Sequence, residues 1–172
     1  TKGELYDFIG ATKGKVFINI ENEVLLSMAQ GIELIKYGTN KESFVKGSVV
    51  SLSPFLKINW SLENSDVVYE IHTHLIGVYN LENILAAITI GSFLKVPPLE
   101  INKAIENYIP TNNRSQLQKT LKNTLIIDAY NANPTSMEMA ILNLKALDVK
   151  EKKVVILGDM KELGNVSLEE HQ

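Results

Sequence analysis

The spacing of apolar residues changes along the chain, and this change limits the possible folds more than any other feature. From 15 to about 77, alternating apolar and polar residues predict mostly strands, interrupted by one short helix at 23–30. The predicted strands cover 16–20, 32–37, 47–52, 55–61 and 67–71. Two helices follow, one with Asn80 as its N-cap and one after Pro97 and Pro98.

The last third of the chain has a different pattern. A polar stretch at 110–116 predicts a linker. Beyond it, apolar runs at 124–128 and 153–157 predict two fully buried strands. They flank a predicted helix at 134–147, whose expected inward residues are Met137, Ala140, Ile141, Leu144 and Leu147. Because strand, helix and strand form the unit of a parallel sheet, we expect an α/β fold class in two parts.

Composition narrows the class of protein. The chain has 172 residues, with 17 Lys and Arg against 20 Asp and Glu, and this balance excludes a nucleic-acid module held by bulk charge. The sequence has no run of about 18 apolar residues, which a membrane span needs, and no signal-peptide pattern. Cysteine is absent, which excludes disulfides, thiolate zinc sites and cysteine catalysis. We expect an intracellular, soluble protein.

Both ends of the chain have the pattern of an interrupted helix. The opening segment 2–9 has apolar residues at helical spacing, with Gly10 placed as a C-terminal cap. The closing segment 167–172 has the pattern of a first helical turn, with Ser167 as its cap. We therefore expect the chain to begin and end inside larger units.

Candidate ligand-binding residues follow the two predicted strands of the last third. Asp128 and Asp159 come where ligands gather in a parallel sheet, at the carboxyl ends of its strands. For Asp128, a binding role and a turn-forming role are equally favoured. Asn133 precedes a proline at a helix start, so a capping role is favoured for it. Tyr130 and Asn131 have no such structural role.

Two other patterns resemble a phosphate-binding loop and a metal site but do not meet the requirements of either. The segment 10–15 is not a phosphate-binding loop, because only three residues separate its glycines and Val16, not a hydroxyl residue, follows Lys15. His72 and His74 could share one face of a strand as metal ligands. No convincing third ligand is found, so surface or packing roles are favoured for both.

Polar residues near the predicted helix start and in the linker allow two interpretations each. Asn80 and Asn83 could read a purine edge, since an amide both donates and accepts, although helix capping is favoured for the pair alone. Arg114 could bind a phosphate between the two halves of the chain. A solvated loop arginine is the commoner case.

The order of these residues along the chain is more specific than any one of them. Asn80-x-x-Asn83 is followed by Asn113-Arg114-Ser115 and then by residues 128–137, which read DAYNANPTSM. Residues 157–164 read LGDMKELG, with His171 beyond them. This order resembles the Mur ligase family, and the likeness covers essentially the whole chain.

The resemblance implies a fold and two domains. Residues 1–111 would be the C-terminal half of a central ATP-binding domain. Residues 112–172 would be the start of a Rossmann-like C-terminal domain, with its first β-α-β unit. The phosphate-binding loop and the domain for the UDP-sugar would then precede this chain.

The resemblance also implies roles for single residues. Lys2 matches a lysine that is carbamylated and helps to hold Mg²⁺, a cation that prefers oxygen ligands. Asn80 and Asn83 match the adenine site, Arg114 matches an arginine that reaches ATP across the domain gap, and Asp128 matches a residue at the ribose or the hinge. The implied catalytic residues are Lys2, Arg114 and Asp128. Tyr130 and Asn131 are implied in nucleotide binding, and Asn133, Asp159, Glu162 and His171 in substrate binding.

The implied activity is that of a cytoplasmic, monomeric amide ligase of peptidoglycan precursor synthesis that uses ATP and Mg²⁺. The motifs are most similar to those of the branch that joins D-alanyl-D-alanine to UDP-N-acetylmuramoyl-tripeptide. This chain alone is expected to be inactive. The alternatives are a sister or polyglutamate-adding ligase with another acceptor, and a non-catalytic nucleotide-binding module. Tyr79 directly precedes the Asn80-x-x-Asn83 motif, at a position where many members of the family have histidine.

Overall fold

The structure is a computed structural model that describes residues 2–111, 113–150, 152–161 and 163–171. Its first part is a five-stranded sheet with helices, in agreement with the predicted α/β fold class. In chain order the elements are α1 (Lys2–Ala11), β1 (Lys15–Asn19), α2 (Glu23–Met28), β2 (Glu33–Gly38), β3 (Val45–Ser51), β4 (Lys57–Leu62), β5 (Tyr69–His72), α3 (Asn80–Phe93) and α4 (Pro98–Glu106).

The sheet is mixed, with strand order β1-β2-β3-β4-β5. β1 and β2 are parallel, as are β2 and β3, while β3–β4 and β4–β5 are antiparallel. In β4, Ile58 and Trp60 are buried and Asn59 between them is only half-buried, which is the period-two alternation of a strand with one face in the core, although Ser61 is buried as well. All five strands were predicted, and each of their bounds differs from the prediction by two residues at most.

Helix α3 covers the sheet and closes the main apolar core. Ile84, Leu85 and Ile88 recur on one face of α3 and are buried in the main core, where α3 packs on β1, β2 and β3. Gly47 in β3 permits the close approach of α3, because a Cβ atom there would overlap the side chain of Leu85. α4 adds Ile101 to the same core.

A smaller core lies around β1. Tyr6 of α1, Ile18 of β1 and Ala29 after α2 are its buried members. Gly10 does not end α1 as predicted, since the helix continues to Ala11. The turn to β1 is made instead at Lys13, whose φ of 53° lies in the left-handed region.

The second part of the chain begins with a hairpin. Its elements are β6 (Gln116–Lys119), β7 (Thr124–Ile127), α5 (Pro134–Ala146), a 3₁₀ turn at Gly164–Val166 and α6 (Ser167–Glu170). β6 and β7 pair antiparallel, and the predicted linker therefore ends one residue earlier, where β6 begins. The predicted strand at 124–128 and helix at 134–147 are present to within a residue, but the strand is not fully buried as predicted, since Thr124 and Leu125 are exposed and Ile126 and Ile127 are half-buried.

The predicted second strand at 153–157 is wrong in this structure. None of the described residues 152–161 is assigned to a strand, and the side chains of Val154 and Ile156 are 69% and 95% exposed. α5 likewise has no fully buried residue: Met137, Ala140, Leu144 and Leu147 of its predicted inward face are half-buried, and Ile141 is exposed. The physical reason is that an apolar run becomes a buried strand only when a neighbouring strand and covering helices pack on it.

None of the described helices is long and apolar enough to cross a membrane.

Candidate functional site

A cavity of about 920 Å³ lies where α3 and α4 face the segment around β6, β7 and the start of α5. Its walls include seven of the residues predicted from the sequence as site residues. They are Asn80, Asn83, Arg114, Asp128, Tyr130, Asn131 and Asn133. These residues lie up to 53 positions apart in the sequence, and the fold brings them to one cavity. The volume is in the range of small-molecule sites.

The start of α3 forms one polar wall. Asn80 is not the N-cap that was predicted; Tyr79 occupies that position and Asn80 is the first helical residue. The Asn80 side chain is buried, and its Nδ2 donates to the carbonyl of Ile76 at 2.8 Å. Its Oδ1 accepts from Asn83 Nδ2 at 3.2 Å. Asn80 therefore orients the amide of Asn83, which lies at the cavity wall.

Apolar side chains form the floor next to Asn83, and sequence reasoning missed their role. Ile84 and Ala87 follow Asn83 on α3, Ala104 and Ile105 come from α4, and Met139 comes from α5. Ala87 lies four residues after Asn83, on the same face of α3, and this spacing is the signal that could have found it. An apolar floor beside an amide suits a flat heterocycle with polar edges.

The facing wall is held by a short backbone network around Arg114. Ser115 N donates to Asp128 Oδ1 at 3.2 Å, and Ala129 N donates to the Asn113 carbonyl at 2.8 Å. Asn113 and Ser115 have φ values of 56° and 48°, so the chain makes left-handed turns on both sides of Arg114. Asp128 therefore holds the backbone of a segment 13 residues earlier in the chain, not a turn of its own as in the predicted turn-forming role, and its carboxylate lies in the cavity wall.

Arg114 lies against the aromatic ring of Tyr130. Its guanidinium carbon is 3.9 Å from the ring centroid, which is cation–π geometry. Both side chains are exposed and line the cavity. The stacking leaves the five N–H donors at the guanidinium edge able to bind an anion such as a phosphate.

Tyr79 links the two walls. Its hydroxyl is hydrogen-bonded to Ser115 Oγ, 36 residues further along the chain. Burial raises the pKa of Tyr79 above its usual value, the Asp128 carboxylate adds to the rise, and the hydrogen bonds with Ser115 and Asn80 oppose it. The phenol is therefore protonated at neutral pH.

Two polar residues of the second wall are engaged locally. Asn133 caps α5, accepting from Ser136 N at 2.9 Å, while Ser136 Oγ accepts from Asn133 N at 3.1 Å. This reciprocal pair is a capping box and confirms the capping role predicted for Asn133. Asn131 Oδ1 accepts from the next backbone amide, that of Ala132, at 2.9 Å.

Three predicted site residues lie outside the cavity lining. Lys2 is an exposed residue at the start of α1, and Asp159 is exposed in the segment before α6. His171 holds that segment: its Nε2 accepts from Met160 N at 3.0 Å and its Nδ1 donates to the Ser167 carbonyl at 2.6 Å. Glu162 lies outside the described residues.

The described residues do not by themselves form a metal centre. Among them there is no group of three or more His, Asp or Glu side chains that could hold an ion. His72 pairs with Glu70 at 2.6 Å, and His74 packs edge-on against Phe55, so the surface and packing roles favoured for them are confirmed. An unmodified lysine is a cation, so Lys2 fits Mg²⁺ only after conversion to a carbamate.

The sequence and the fold match known proteins. The family model for the Mur ligase middle domain matches residues 1–91, and the model for the Mur ligase glutamate ligase domain matches residues 113–172. In solved structures, the chain is similar to MurF from Acinetobacter baumannii, with a TM-score of 0.79 and 25% identity over 98% of this chain and 37% of that one. The fold of a Thermotoga maritima MurF ligase in complex with ADP matches with a TM-score of 0.75, at 17% identity over 92% of this chain and 36% of that one.

Curated relatives give the same result. The chain is 33% identical to the UDP-N-acetylmuramoyl-tripeptide–D-alanyl-D-alanine ligase of Bacillus subtilis over 91% of this chain and 34% of the relative. It is 38% identical to the Treponema pallidum ligase of the same name, over 66% of this chain and 25% of the relative. It thus spans about a third or less of the length of these relatives. Because the middle-domain model alone matches more than half of its residues, the chain belongs to the Mur ligase family.

Proposed function

We propose that this chain is part of an ATP-dependent ligase that joins D-alanyl-D-alanine to UDP-N-acetylmuramoyl-tripeptide in peptidoglycan precursor synthesis. The observation that carries the proposal is that Asn83, Arg114 and Asp128 line the same cavity. The printed names of the relatives from B. subtilis and T. pallidum support the choice of substrates. Residues 1–111 are assigned to the central ATP-binding domain, and residues 112–172 to the C-terminal domain, of a cytoplasmic monomer.

In this proposal the cavity holds the adenine nucleotide. The base lies on the apolar floor, and Asn83 pairs with its polar edge, since an amide can both donate and accept. Asp128 accepts from the ribose hydroxyls, and Arg114, held against Tyr130, extends its N–H donors toward the phosphates. Asn80 supports Asn83, and Tyr130 and Asn131 flank the nucleotide.

The proposed reaction has two steps. A carboxylate oxygen of the tripeptide attacks the γ-phosphorus of ATP, the bond to the β-phosphate oxygen breaks, and an acyl phosphate and ADP form. The amine of D-alanyl-D-alanine then attacks the acyl carbon, loses a proton and expels inorganic phosphate. Arg114 stabilises the negative charge on the transferred phosphoryl group, and closure of the cavity walls excludes the water that would hydrolyse the acyl phosphate.

The amine-binding and metal roles are assigned to Asn133, which lines the cavity, and to residues elsewhere in the chain. Asn133, Asp159, Glu162 and His171 are assigned to the cleft for the incoming dipeptide. Mg²⁺ would neutralise phosphate charge, with a carbamylated Lys2 as one ligand. The phosphate-binding loop is assigned to sequence before this chain, and residues 1–172 alone are therefore expected to hydrolyse no ATP.

Phosphate release by the full-length protein tests the proposal. The assay contains ATP, Mg²⁺ and UDP-N-acetylmuramoyl-tripeptide, with D-alanyl-D-alanine, L-lysine, diaminopimelate, D-glutamate or L-alanine added in turn. Release that requires the dipeptide is the expected result. The same assay on residues 1–172 tests the expected inactivity, which ATP hydrolysis by the purified chain would contradict.

A sister ligase is the second candidate. The chain is also 27% identical, over 83% of its length, to a protein named UDP-N-acetylmuramate–L-alanine ligase from a Sulfurihydrogenibium strain. Release with an acceptor other than the dipeptide would favour this candidate. If folded protein releases no phosphate with any acceptor, a non-catalytic nucleotide-binding module is the better assignment.

A further inference from the structure

The aromatic ring of Tyr79 packs against Gly77, where only glycine leaves room for the ring. Gly77 has a φ of 96°, in the region that favours glycine, and a Cβ atom there would overlap the ring of Tyr79. The ring therefore packs directly on the Gly77 backbone. Since Tyr79 is the N-cap residue of α3, its side chain leaves the helix start in a fixed direction, towards the second part of the chain.

The hydroxyl of Tyr79 ends on Ser115, in the other wall of the cavity. Ser115 is only 4% exposed, and its backbone amide donates to Asp128 Oδ1 at 3.2 Å. Ser115 also directly follows Arg114. One series of contacts thus joins the helix start that carries Asn80 and Asn83 to the segment that carries Arg114 and Asp128.

We propose that Tyr79 is a positioning residue, which through its hydrogen bond to Ser115 holds Arg114 and Asp128 in register with Asn83 across the cavity. The inference rests on the proposed function, in that the ligand of the cavity is an adenine nucleotide. Tyr79 acts on the nucleotide through Ser115 and need not touch it. Without the bond, the two walls separate more often and fewer molecules are competent to bind. The apparent affinity for the nucleotide then falls in proportion to the fraction of competent molecules.

The contact itself is tested by hydrogen exchange of the Ser115 amide, without any ligand. Tyr79→Phe keeps the ring on Gly77 and removes only the hydroxyl. We expect the amide to exchange about 3 to 10 times faster in this variant, the factor that corresponds to one net hydrogen bond. Tyr69→Phe is the matched control, because Tyr69 stacks on Trp60 away from the cavity and its hydroxyl has no hydrogen bond to described residues. Equal exchange in wild type and Tyr79→Phe would overturn the proposal.

The positioning role is tested by kinetics of the full-length protein. Tyr79→Phe and Ser115→Ala are each expected to raise the KM for ATP about 3- to 10-fold, and the double variant no further than either, since both remove one contact. A merely structural defect would lower kcat, through the fraction of folded enzyme, at an unchanged KM. Unchanged KM values, or effects that add in the double variant, contradict the proposal.

The two failures can be told apart. If the wild-type protein neither binds nor uses ATP, the proposed function is wrong, and the exchange experiment still decides whether Tyr79 holds Ser115. If the wild type uses ATP and the variants keep its KM, the proposed function stands and the positioning role is wrong.

Discussion

The two walls of the cavity belong to regions that bury their apolar residues to very different degrees. In residues 2–111, Val45, Leu56, Ile58 and Ile71 are completely buried between the sheet and its helices. In the described residues from 113 onward, only Ser115 and Met160 are buried. Both regions have apolar runs, so apolar content alone does not produce a core. A core also needs a second layer to pack on the first.

This difference has a consequence for the site. The wall from α3 is anchored in the main core through Ile84, Leu85 and Ile88. The wall from β6, β7 and α5 depends on a hairpin, a capped helix and a few polar contacts such as that of Ser115 with Asp128. Regions with few buried apolar contacts open at low free-energy cost. We therefore expect the second wall to be the one that moves when the cavity opens and closes.

The largest expected effect is on stability and compares two isoleucines. Ile58→Ala removes a completely buried side chain and should lower the free energy of unfolding by about 2–5 kcal/mol. Ile156→Ala, at a side chain 95% exposed, should change it by less than about 0.5 kcal/mol. Urea unfolding followed by the fluorescence of Trp60, the single tryptophan, measures both. Equal losses would mean that the comparison between the regions is wrong.

Two glycines give a second matched pair. Gly47→Ala places a Cβ against Leu85 and should destabilise the chain by about 1–3 kcal/mol, because the α3–sheet interface must shift. Gly158→Ala adds a Cβ with no atom within 4 Å, so no steric cost is expected. Thermal unfolding of the two variants measures the difference. A destabilised Gly158→Ala would show that the segment around 158 is closely packed.

The contribution of the anchored wall to ligand binding is tested at Asn83. Asn83→Ala should weaken the binding of ADP about 3- to 10-fold and reduce any preference for ADP over GDP, because the adenine edge loses its partner. Asn107→Ala, at the end of α4 and outside the cavity lining, is the control. Isothermal titration gives both affinities. Unchanged affinity and base preference in Asn83→Ala would exclude it as the adenine reader.

The smallest effect is a pH dependence that involves one tyrosine from the core and one from the contact between the walls. Burial raises the pKa of Tyr37 above its usual 10.0, and the charge of Glu82 adds to the rise. Burial also raises the pKa of Tyr79, and the charge of Asp128 adds to that rise, while the hydrogen bonds of Tyr79 oppose it. The folded state then holds both protons more tightly than the unfolded state. This stabilisation is complete below pH 10 and is lost as pH rises through the folded pKa values.

Urea unfolding between pH 9 and about 11 checks the sign. The free energy of unfolding should fall with pH in the wild type, and less steeply in Tyr37→Phe and in Tyr79→Phe. A wild-type stability that rises above pH 10 would contradict the direction of both shifts.

Most of the first region could be predicted from the sequence, because its strands and helices follow local periodicity. β4 was predicted as the strand at 55–61, and α3 as the helix that starts at Asn80. In the second region, β6 was missed because its residues QLQK lie in a polar stretch. The strand at 153–157 was predicted because its residues are apolar, but whether such a run pairs depends on which strand lies next to it, and that is not local information.

The candidate site was likewise predicted only in part from the sequence. The order of Asn80, Asn83, Arg114 and Asp128 along the chain was sufficient to select these residues, and the structure places them around one cavity. The roles of single residues stay predictions, with Asn133 known to cap α5. The link between Tyr79 and Ser115 was missed, because a contact between residues 36 positions apart leaves no local pattern.

The sequence by itself determined the family, the element types of the first region and the polar residues that could meet a nucleotide. These follow from residue order and from the spacing of apolar side chains over a few turns or strand residues. Only the tertiary structure decided which apolar runs are buried, where the cavity lies and that Tyr79 joins its walls. The physical reason is that burial and long-range hydrogen bonds depend on which surfaces face each other after packing, and packing is a property of the whole chain.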